Sequence, residues 1–232
     1  MGAPQDRIHA DRIHSEVETG GAARSALVAS WRRSARLYGL DPAETGSVQT
    51  LSDHELRTAR QRMERVVSIA QASMDRLYMA VGGVGCCVLL ADSEGVPVER
   101  RGAAGDDDTF YDWGLWTGAV WSEAVEGTNG IGTCIAEQRA LTIHRDQHFH
   151  TRNIGLSCTV APIHDHQGRL MAALDVSSCR SDLTEAFVQL ISVAVIDAAR
   201  RIEAENFRQA FPDARIVLAP SADRTGGALI AV

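Results

Sequence analysis

Residues 113–137 read WGLWTGAVWSEAVEGTNGIGTCIAE and carry the most informative pattern in the chain. Three of the four tryptophans lie between residues 113 and 121, directly before a glycine-rich stretch in which we expect a helix to begin. Clustered tryptophans line either a core edge or a ligand pocket, because each has a large apolar ring and one N–H donor. The residues alone leave two interpretations equally open: a capped loop supported by core aromatics, or a small-molecule pocket.

The same segment resembles the signature of one group of GAF sensor domains. The resemblance rests on Gly114-Leu115, Trp121-Ser122-Glu123 and Gly127–Thr133, with further matches at Ser30–Ser34, Gly39-Leu40, His148-Phe149 and Cys158–Ser177. That group lies at the N-terminus of sigma-54-dependent transcriptional activators similar to the acetoin catabolism regulator. The resemblance runs from about Ala26 to about Phe211. It implies an α+β sensor fold, and we expect the domain to need no cofactor.

Helical patterns lie on both sides of a strand-rich middle. Ser52 and Glu55 form a capping-box pattern, and apolar residues then recur at steps of three and four as far as Val81. A shorter helix is predicted over about 22–38 and ends at a glycine. Another long helix is predicted from Thr184 to about Ala210, with Leu190 in its apolar stripe.

Five short apolar segments between these helices predict strands at 86–91, 96–101, 140–144, 157–163 and 169–176. The last segment is apolar on both faces, which is typical of a sheet covered on both sides. The fold class is therefore α+β. Together with the resemblance, we expect a GAF-like central antiparallel sheet whose long N- and C-terminal helices form a helical bundle across a dimer.

The pattern divides the chain into four parts. We expect a disordered N-terminal segment over 1–20, an N-terminal helix and linker over 21–51, a GAF sensor domain over 52–211, and a linker leading into another domain over 212–232. The apolar stretch at 226–232 indicates that this is the sensor fragment of a longer protein. The sequence contains no GxxxxGK[ST] motif, so the ATPase that such activators carry is expected outside this chain.

Composition excludes several classes of function for the chain itself. A net charge of −7 and a pI near 5.6 argue against direct contact with nucleic acid or a membrane surface. No apolar run is long enough to cross a membrane. Five cysteines, without CxxC spacing, favour a reduced cytoplasmic protein. No carboxylate pair or nucleophile is placed by spacing, so we expect no enzymatic activity.

The predicted effector site lies between the sheet and residues 113–137, which we call the tryptophan segment. We expect it to bind a small organic metabolite, and the resemblance implies a ketone, alcohol or diol. Trp116 and Trp121 would form apolar walls, and a carboxylate on an apolar strand would reach the pocket or need a partner. The candidate residues are Trp113, Trp116, Trp121, Thr128, Asn129, Ile131, Thr133, His148, Phe149, Cys158 and Asp175.

Two other functions stay open at this stage. The first is a protein-interaction or dimerisation module that a partner protein controls without a small ligand. The second, a redox or metal sensor, rests on the cysteines and on the alternate spacing of His144, Asp146, His148 and His150, in which we expect His150 to be exposed. Under the ligand-sensing hypothesis the chain acts as a homodimer and signals to ATPase and DNA-binding domains of the same polypeptide.

Overall fold

A computed structural model describes residues 4–19, 25–219 and 228–232. Helix α2 continues into a π-helical segment at Arg33–Leu37. The seven helices are α1 (Pro4–Glu18), α2 (Ala26–Arg32), α3 (Asp53–Val81), α4 (Asp107–Asp112), α5 (Glu123–Glu126), α6 (Gly130–Glu137) and α7 (Glu185–Ala210) among the described residues. The strands in the same ranges are β1 (Cys87–Asp92), β2 (Pro97–Arg101), β3 (Leu141–His144), β4 (Ser157–His164), β5 (Leu170–Ser178), β6 (Ile216–Ala219) and β7 (Ala228–Ala231).

The first five strands form one antiparallel sheet in the order β2-β1-β5-β4-β3. Strand β5 is therefore central, and its Asp175 lies between Leu89 of β1 and Val160 of β4. All five strands predicted from the sequence are present, with ends that differ by one or two residues. The predicted α+β class with a central antiparallel sheet is confirmed.

Helices α3 and α7 pack on each other and cover one face of the sheet. The capping box at the start of α3 is formed, since Ser52 Oγ accepts from the Glu55 N–H and the Glu55 side chain accepts from the Ser52 N–H. The assignment of Leu190 to the buried stripe of α7 is wrong: its side chain is 66% exposed. The two long helices thus form the predicted pair within one chain, and their pairing across a dimer stays a prediction.

The opposite face of the sheet is covered by α6 and by the tryptophan segment. Its core contains Phe110, Leu115, Trp121 and Ile131, packed against Leu89 and other residues of the central strands. Because both faces are covered, the central strands are largely apolar on both sides, as the sequence of β5 predicted.

The expectation of a disordered segment over 1–20 is wrong for residues 4–18, which form α1. The helix is polar on most of its surface but buries Ile13 and Val17 in a third apolar cluster with Trp31 and Phe149. Only a narrow stripe is buried, so the composition resembles that of a solvated segment. Residues 1–3 and 20–24 lie outside the described part of the chain.

The segment after α7 contains two paired strands within its described residues. Strands β6 and β7 pair antiparallel, with Val217 opposite Ile230, and residues 220–227 lie outside the described part. Among the residues that the structure describes, no helix combines the length and apolar composition that a membrane crossing requires.

Candidate functional site

Asn129 uses its whole side chain to hold the backbone around it. Its Oδ1 accepts the Gly132 N–H at 2.8 Å and thereby caps α6, while its Nδ2 donates to the carbonyls of Trp121 (3.0 Å) and Gly127 (2.8 Å). The residue is fully buried. The capping interpretation of this position is therefore correct, and both amide hydrogens of the side chain are used by the protein's own backbone.

A buried polar cluster joins α2 to the tryptophan segment, centred on Glu123. Arg33 donates to Glu123 through Nε at 2.8 Å and through an Nη at 3.1 Å. Ser30 Oγ donates to the same carboxylate, as does Thr133 Oγ1 at 3.1 Å. Thr128 Oγ1 lies 2.6 Å from Ser30 Oγ. Thr128 and Thr133, predicted to orient a ligand, thus bind side chains of the protein itself.

The residues of this polar cluster that sequence reasoning missed are Ser30, Arg33 and Glu123. All three lie in the stretches that carry the family resemblance, Ser30–Ser34 and Trp121–Glu123. A buried carboxylate needs a cationic or hydrogen-bonding partner. The resemblance therefore marked these three residues as part of the family pattern. That the two segments, about 90 residues apart, pair with each other is visible only in the fold.

The three tryptophans take different roles. Trp121 is buried, and its Nε1–H donates to the Gly114 carbonyl at 2.8 Å; Trp113 packs partly buried on the same apolar cluster. Trp116 instead lies against Arg100, whose guanidinium is 4.2 Å from the ring centroid. Trp121 and Trp113 therefore share one environment, and Trp116 contributes a cation–π contact.

His148 and Phe149 lie on different sides of the same loop. His148 Nδ1 is 2.9 Å from the Arg145 carbonyl, and its Nε2 is 3.5 Å from Cys158 Sγ. Burial lowers the pKa of His148 to about 4, so the ring is neutral at neutral pH. Phe149 packs against Gly127 and towards the N-terminal helices. Only His148 of this pair approaches the sheet interior.

A second buried ion pair lies at the end of α5. Arg152 donates to both oxygens of Glu126 at 2.8 and 2.9 Å, and Asn153 Nδ2 donates to one of them at 3.2 Å. Burial nevertheless raises the pKa of Glu126. His150, expected to be exposed, is fully buried beside this pair, and burial lowers its pKa to about 4. Sequence spacing gave no sign of this arrangement.

Asp175 is the one candidate residue with a buried polar atom that lacks a hydrogen-bond partner in the described part of the chain. The residue is fully buried; Oδ2 accepts the Ser177 hydroxyl at 2.6 Å, and Oδ1 has no partner in the described structure. Burial raises the pKa of Asp175 to about 7. A Cβ placed on Gly130 would lie 3.6 Å from Oδ1 and 2.5 Å from Cys158 Cβ, so α6 begins directly above the carboxyl group.

The surroundings of Asp175 are apolar and rich in sulfur. Its charge contributes to the raised pKa of Cys87, Cys134 and Cys158, although burial is the largest cause for all three. Ile131 is buried in the same layer. A hydroxyl or protonated donor placed at Oδ1 would remove the unsatisfied acceptor, which otherwise costs about 1–3 kcal/mol.

The cysteines and histidines give little support to redox or metal chemistry. The five cysteines are free, and burial raises the pKa of each thiol, which leaves little reactive thiolate. Within the described ranges, no group of three or more His, Cys, Asp or Glu side chains has the geometry of a metal site.

Comparison of this chain with known proteins identifies its family. A family model of the GAF domain matches residues 65–202, more than half of the chain. The chain belongs to the GAF domain family. The match lies within the predicted domain of 52–211 and spans α6 and Asp175, whereas α1 and α2 lie outside it.

Two curated relatives are transcription regulators. The chain is 39% identical over 181 residues to the acetoin catabolism regulatory protein of Cupriavidus necator, covering 78% of this chain and 27% of that protein. It is 25% identical over 186 residues to the acetoin dehydrogenase operon transcriptional activator AcoR of Bacillus subtilis, covering 80% and 30%. The chain thus spans less than a third of the length of these relatives. The resemblance predicted from the signature is confirmed.

Among solved structures, the E. coli DhaR(N)–DhaL complex is similar in fold. Its TM-score is 0.71 at 17% sequence identity, and the match covers 79% of this chain and 61% of that chain. At this identity the comparison supports the fold alone. The coverage exceeds that of the family model, so more of the chain than the GAF core has a structural counterpart.

Proposed function

We propose that this chain is a non-enzymatic sensing domain of a cytoplasmic transcription regulator and binds a small uncharged organic metabolite. The observation that carries the proposal is the buried carboxyl of Asp175, whose Oδ1 has no partner among the described residues. A ligand hydroxyl would donate to this oxygen. Two relatives are named for acetoin, a hydroxyketone, which favours the ketone, alcohol or diol class.

The proposed site lies between the centre of β5 and the first turn of α6. Gly130 brings the helix close to Asp175, and Cys158 and Trp121 supply apolar surface in the same layer. No cationic side chain pairs with Asp175 in the described structure, which disfavours a carboxylate or phosphate ligand. Asp175 is fully buried beneath Gly130, so we propose that α6 moves away from the sheet to admit the ligand.

A movement of α6 has a route to the rest of the regulator. The sheet that carries Asp175 packs on α3 and α7 through its other face. We propose that a ligand favours one arrangement of these two helices, in a homodimer, and that this arrangement controls ATPase and DNA-binding domains of the same polypeptide. Such coupling requires the ligand to bind one of two states more tightly.

A thermal-shift experiment tests the ligand site. We expect acetoin or 2,3-butanediol, in excess over its Kd, to raise the Tm of the domain, because a ligand that binds only the folded state stabilises it. Acetate serves as the charged comparison and should have no effect. Asp175→Asn should reduce the shift, because an amide oxygen accepts a hydrogen bond less strongly than a carboxylate oxygen. Asp92→Asn is the matched control, since Asp92 is a similarly buried carboxylate that accepts two backbone N–H groups in a distant turn.

A second candidate function has its own supporting observation. Nine of the candidate residues are less than 5% exposed and pack on the protein's own side chains: Trp121, Thr128, Asn129, Ile131, Thr133, His148, Phe149, Cys158 and Asp175. Such packing suits a module that is controlled by a partner protein and has no small ligand. If neither alcohols nor ketones raise the Tm of the wild-type domain, this second function is the one to pursue.

A further inference from the structure

Strand β3 forms one outer edge of the sheet. Strand β3 is last in the strand order and pairs only with β4 among the described residues. An open edge strand presents unpaired backbone N–H and C=O groups that another strand can bind. This edge is independent of the proposed ligand site, because Asp175 lies two strands away in the centre of the sheet.

The direction of the free backbone groups follows from the ends of β3. The Arg145 N–H donates to the Leu156 carbonyl next to β4, so the backbone groups of Ile143 also point towards β4. Successive residues of a strand point their backbone groups in opposite directions. Thr142 and His144 therefore point outwards. The His144 N–H is already bound by Gln147 Oε1 at 2.8 Å, which leaves Thr142 as the free backbone position.

Two hollows flank this edge, one on each face of the sheet. On the α7 face a hollow of about 360 Å³ is lined mostly by residues of polar type, with their aliphatic parts also exposed to it: Thr142, His144, Gln147, Glu185, Val188, Gln189 and Ser192. Towards α2 a hollow of about 190 Å³ has a lining that is in part small and apolar: Ala26, Leu27, Thr133, Arg139, Leu141, Thr142, Ile143 and Gln147. The side chains of an added strand alternate between faces, so successive residues would enter the two hollows in turn.

Charge separates the occupants that could fill the two hollows. Glu185 has no ion-pair partner within the described residues, so the polar hollow favours a basic side chain. Arg139 is half exposed and its ion pair with Glu137 is long, at 3.7 Å, so the smaller hollow favours an acidic neighbour. A second copy of β3 paired about Thr142 would place Arg139 opposite Arg145, which is unfavourable.

We propose that the outer edge of β3 is a docking site for an extended peptide segment of a partner protein. The peptide adds a sixth strand to the sheet, with its backbone hydrogen-bonded to Thr142. On the α7 face it carries polar or basic side chains, and on the α2 face small apolar side chains beside an acidic residue. Main-chain hydrogen bonds give such complexes affinity, and the alternating pockets give them specificity.

Selection from a displayed library of random decapeptides on the intact 232-residue chain tests this proposal. We expect the selected peptides to share period-two alternation and to protect the Thr142 amide from hydrogen exchange. Thr142→Pro removes the outward N–H at an edge position where proline is tolerated. It should weaken binding of a selected peptide about tenfold or more, because a main-chain hydrogen bond is lost and the ring obstructs pairing.

Thr142→Val is the matched control. It removes the same hydroxyl, which lies 3.1 Å from Thr159 Oγ1, but keeps the backbone N–H, so peptide affinity should stay within about twofold. Equal loss in both variants would overturn the proposal, as would peptides that protect a region other than β3. Self-association of the chain that Thr142→Pro abolishes would also overturn it, in favour of a second copy. If Thr142→Pro fails to fold, amide protection in the wild-type chain decides the outcome.

Discussion

Two carboxylates lie buried on the same side of the sheet, and they differ in how completely their oxygens are satisfied. Glu123 accepts four hydrogen bonds, from Ser30, Thr133 and two nitrogens of Arg33. Asp175 accepts one, from Ser177. A satisfied buried network rigidifies a fold, whereas an unsatisfied acceptor is costly and calls for a functional explanation. The comparison assigns Glu123 to the attachment of α2, and it is the basis on which we propose Asp175 as a ligand contact.

The largest effect is expected from removing Glu123, the carboxylate whose oxygens are fully hydrogen-bonded. Glu123→Ala removes one of the two carboxylates that pair with Arg33 and leaves two buried hydroxyls without their acceptor, and it should lower the free energy of unfolding by about 3 kcal/mol. The control is Glu137→Ala, which removes the other partner of Arg33 from a position that is 22% exposed. That change should cost less than about 1 kcal/mol. Urea unfolding of both variants measures the difference; equal costs would show that the cluster does not depend on Glu123.

The next largest effect is the pH dependence of stability that the buried carboxyl group of Asp175 causes. The pKa of Asp175 is raised from 3.8 to about 7 in the folded state, so folding binds a proton between these values. Its contribution to stability is present below about pH 4 and is lost as the pH rises through about 7. Between pH 5 and pH 7 the wild type should lose about 2 kcal/mol relative to Asp175→Asn.

Urea unfolding of both proteins at several pH values isolates this contribution, because every other titrating group is common to the pair. The neutral buried histidines His148 and His150 act in the opposite direction, since their lowered pKa makes the folded state more stable as the pH rises. Their effect cancels in the difference. Parallel pH profiles for the two proteins would mean that Asp175 is ionised or solvated in the folded state.

Most of the fold was predictable because it follows from local pattern. The capping box at Ser52 and the spacing that follows it place α3, and the alternating apolar segments place all five strands of the main sheet. Helix α1 was missed because its buried stripe is narrow and its other side chains resemble those of a solvated segment. Composition reports the average surface of a helix, and packing depends on one face of it.

The candidate site was predictable in part. Asp175 was recognised because a carboxylate on an apolar strand needs a partner or a pocket. Thr128, Thr133 and Asn129 were assigned to ligand contacts, yet their partners are Ser30, Glu123 and the loop backbone. Ser30 lies far away in sequence, whereas Glu123 and the loop backbone lie within ten residues of Thr133 and Asn129. Residue type gave the capacity to form hydrogen bonds, and only the tertiary fold shows where that capacity is used.

The smallest effect is expected from removing the single hydrogen bond that Asp175 accepts, from Ser177. Ser177→Ala removes the hydroxyl that stabilises the ionised form of Asp175, so the pKa of Asp175 should rise further above 7. At pH 5 the carboxyl is protonated in both proteins, and stability should change by less than about 1 kcal/mol. Titration of the Asp175 carboxyl carbon by NMR measures the pKa, with Ser178→Ala as control because its hydroxyl donates to the Gly85 carbonyl.

The direction of the shift in this titration also separates the two proposed functions. A ligand whose hydroxyl donates to Oδ1 stabilises the ionised carboxylate, so it should lower the pKa of Asp175 in the wild type and in Ser177→Ala alike. A module without an internal ligand has no such donor, and the pKa of Asp175 should then be the same with and without alcohols. If Ser177→Ala leaves the pKa unchanged, the hydroxyl does not bind the carboxylate, and the contrast between Asp175 and Glu123 needs another explanation.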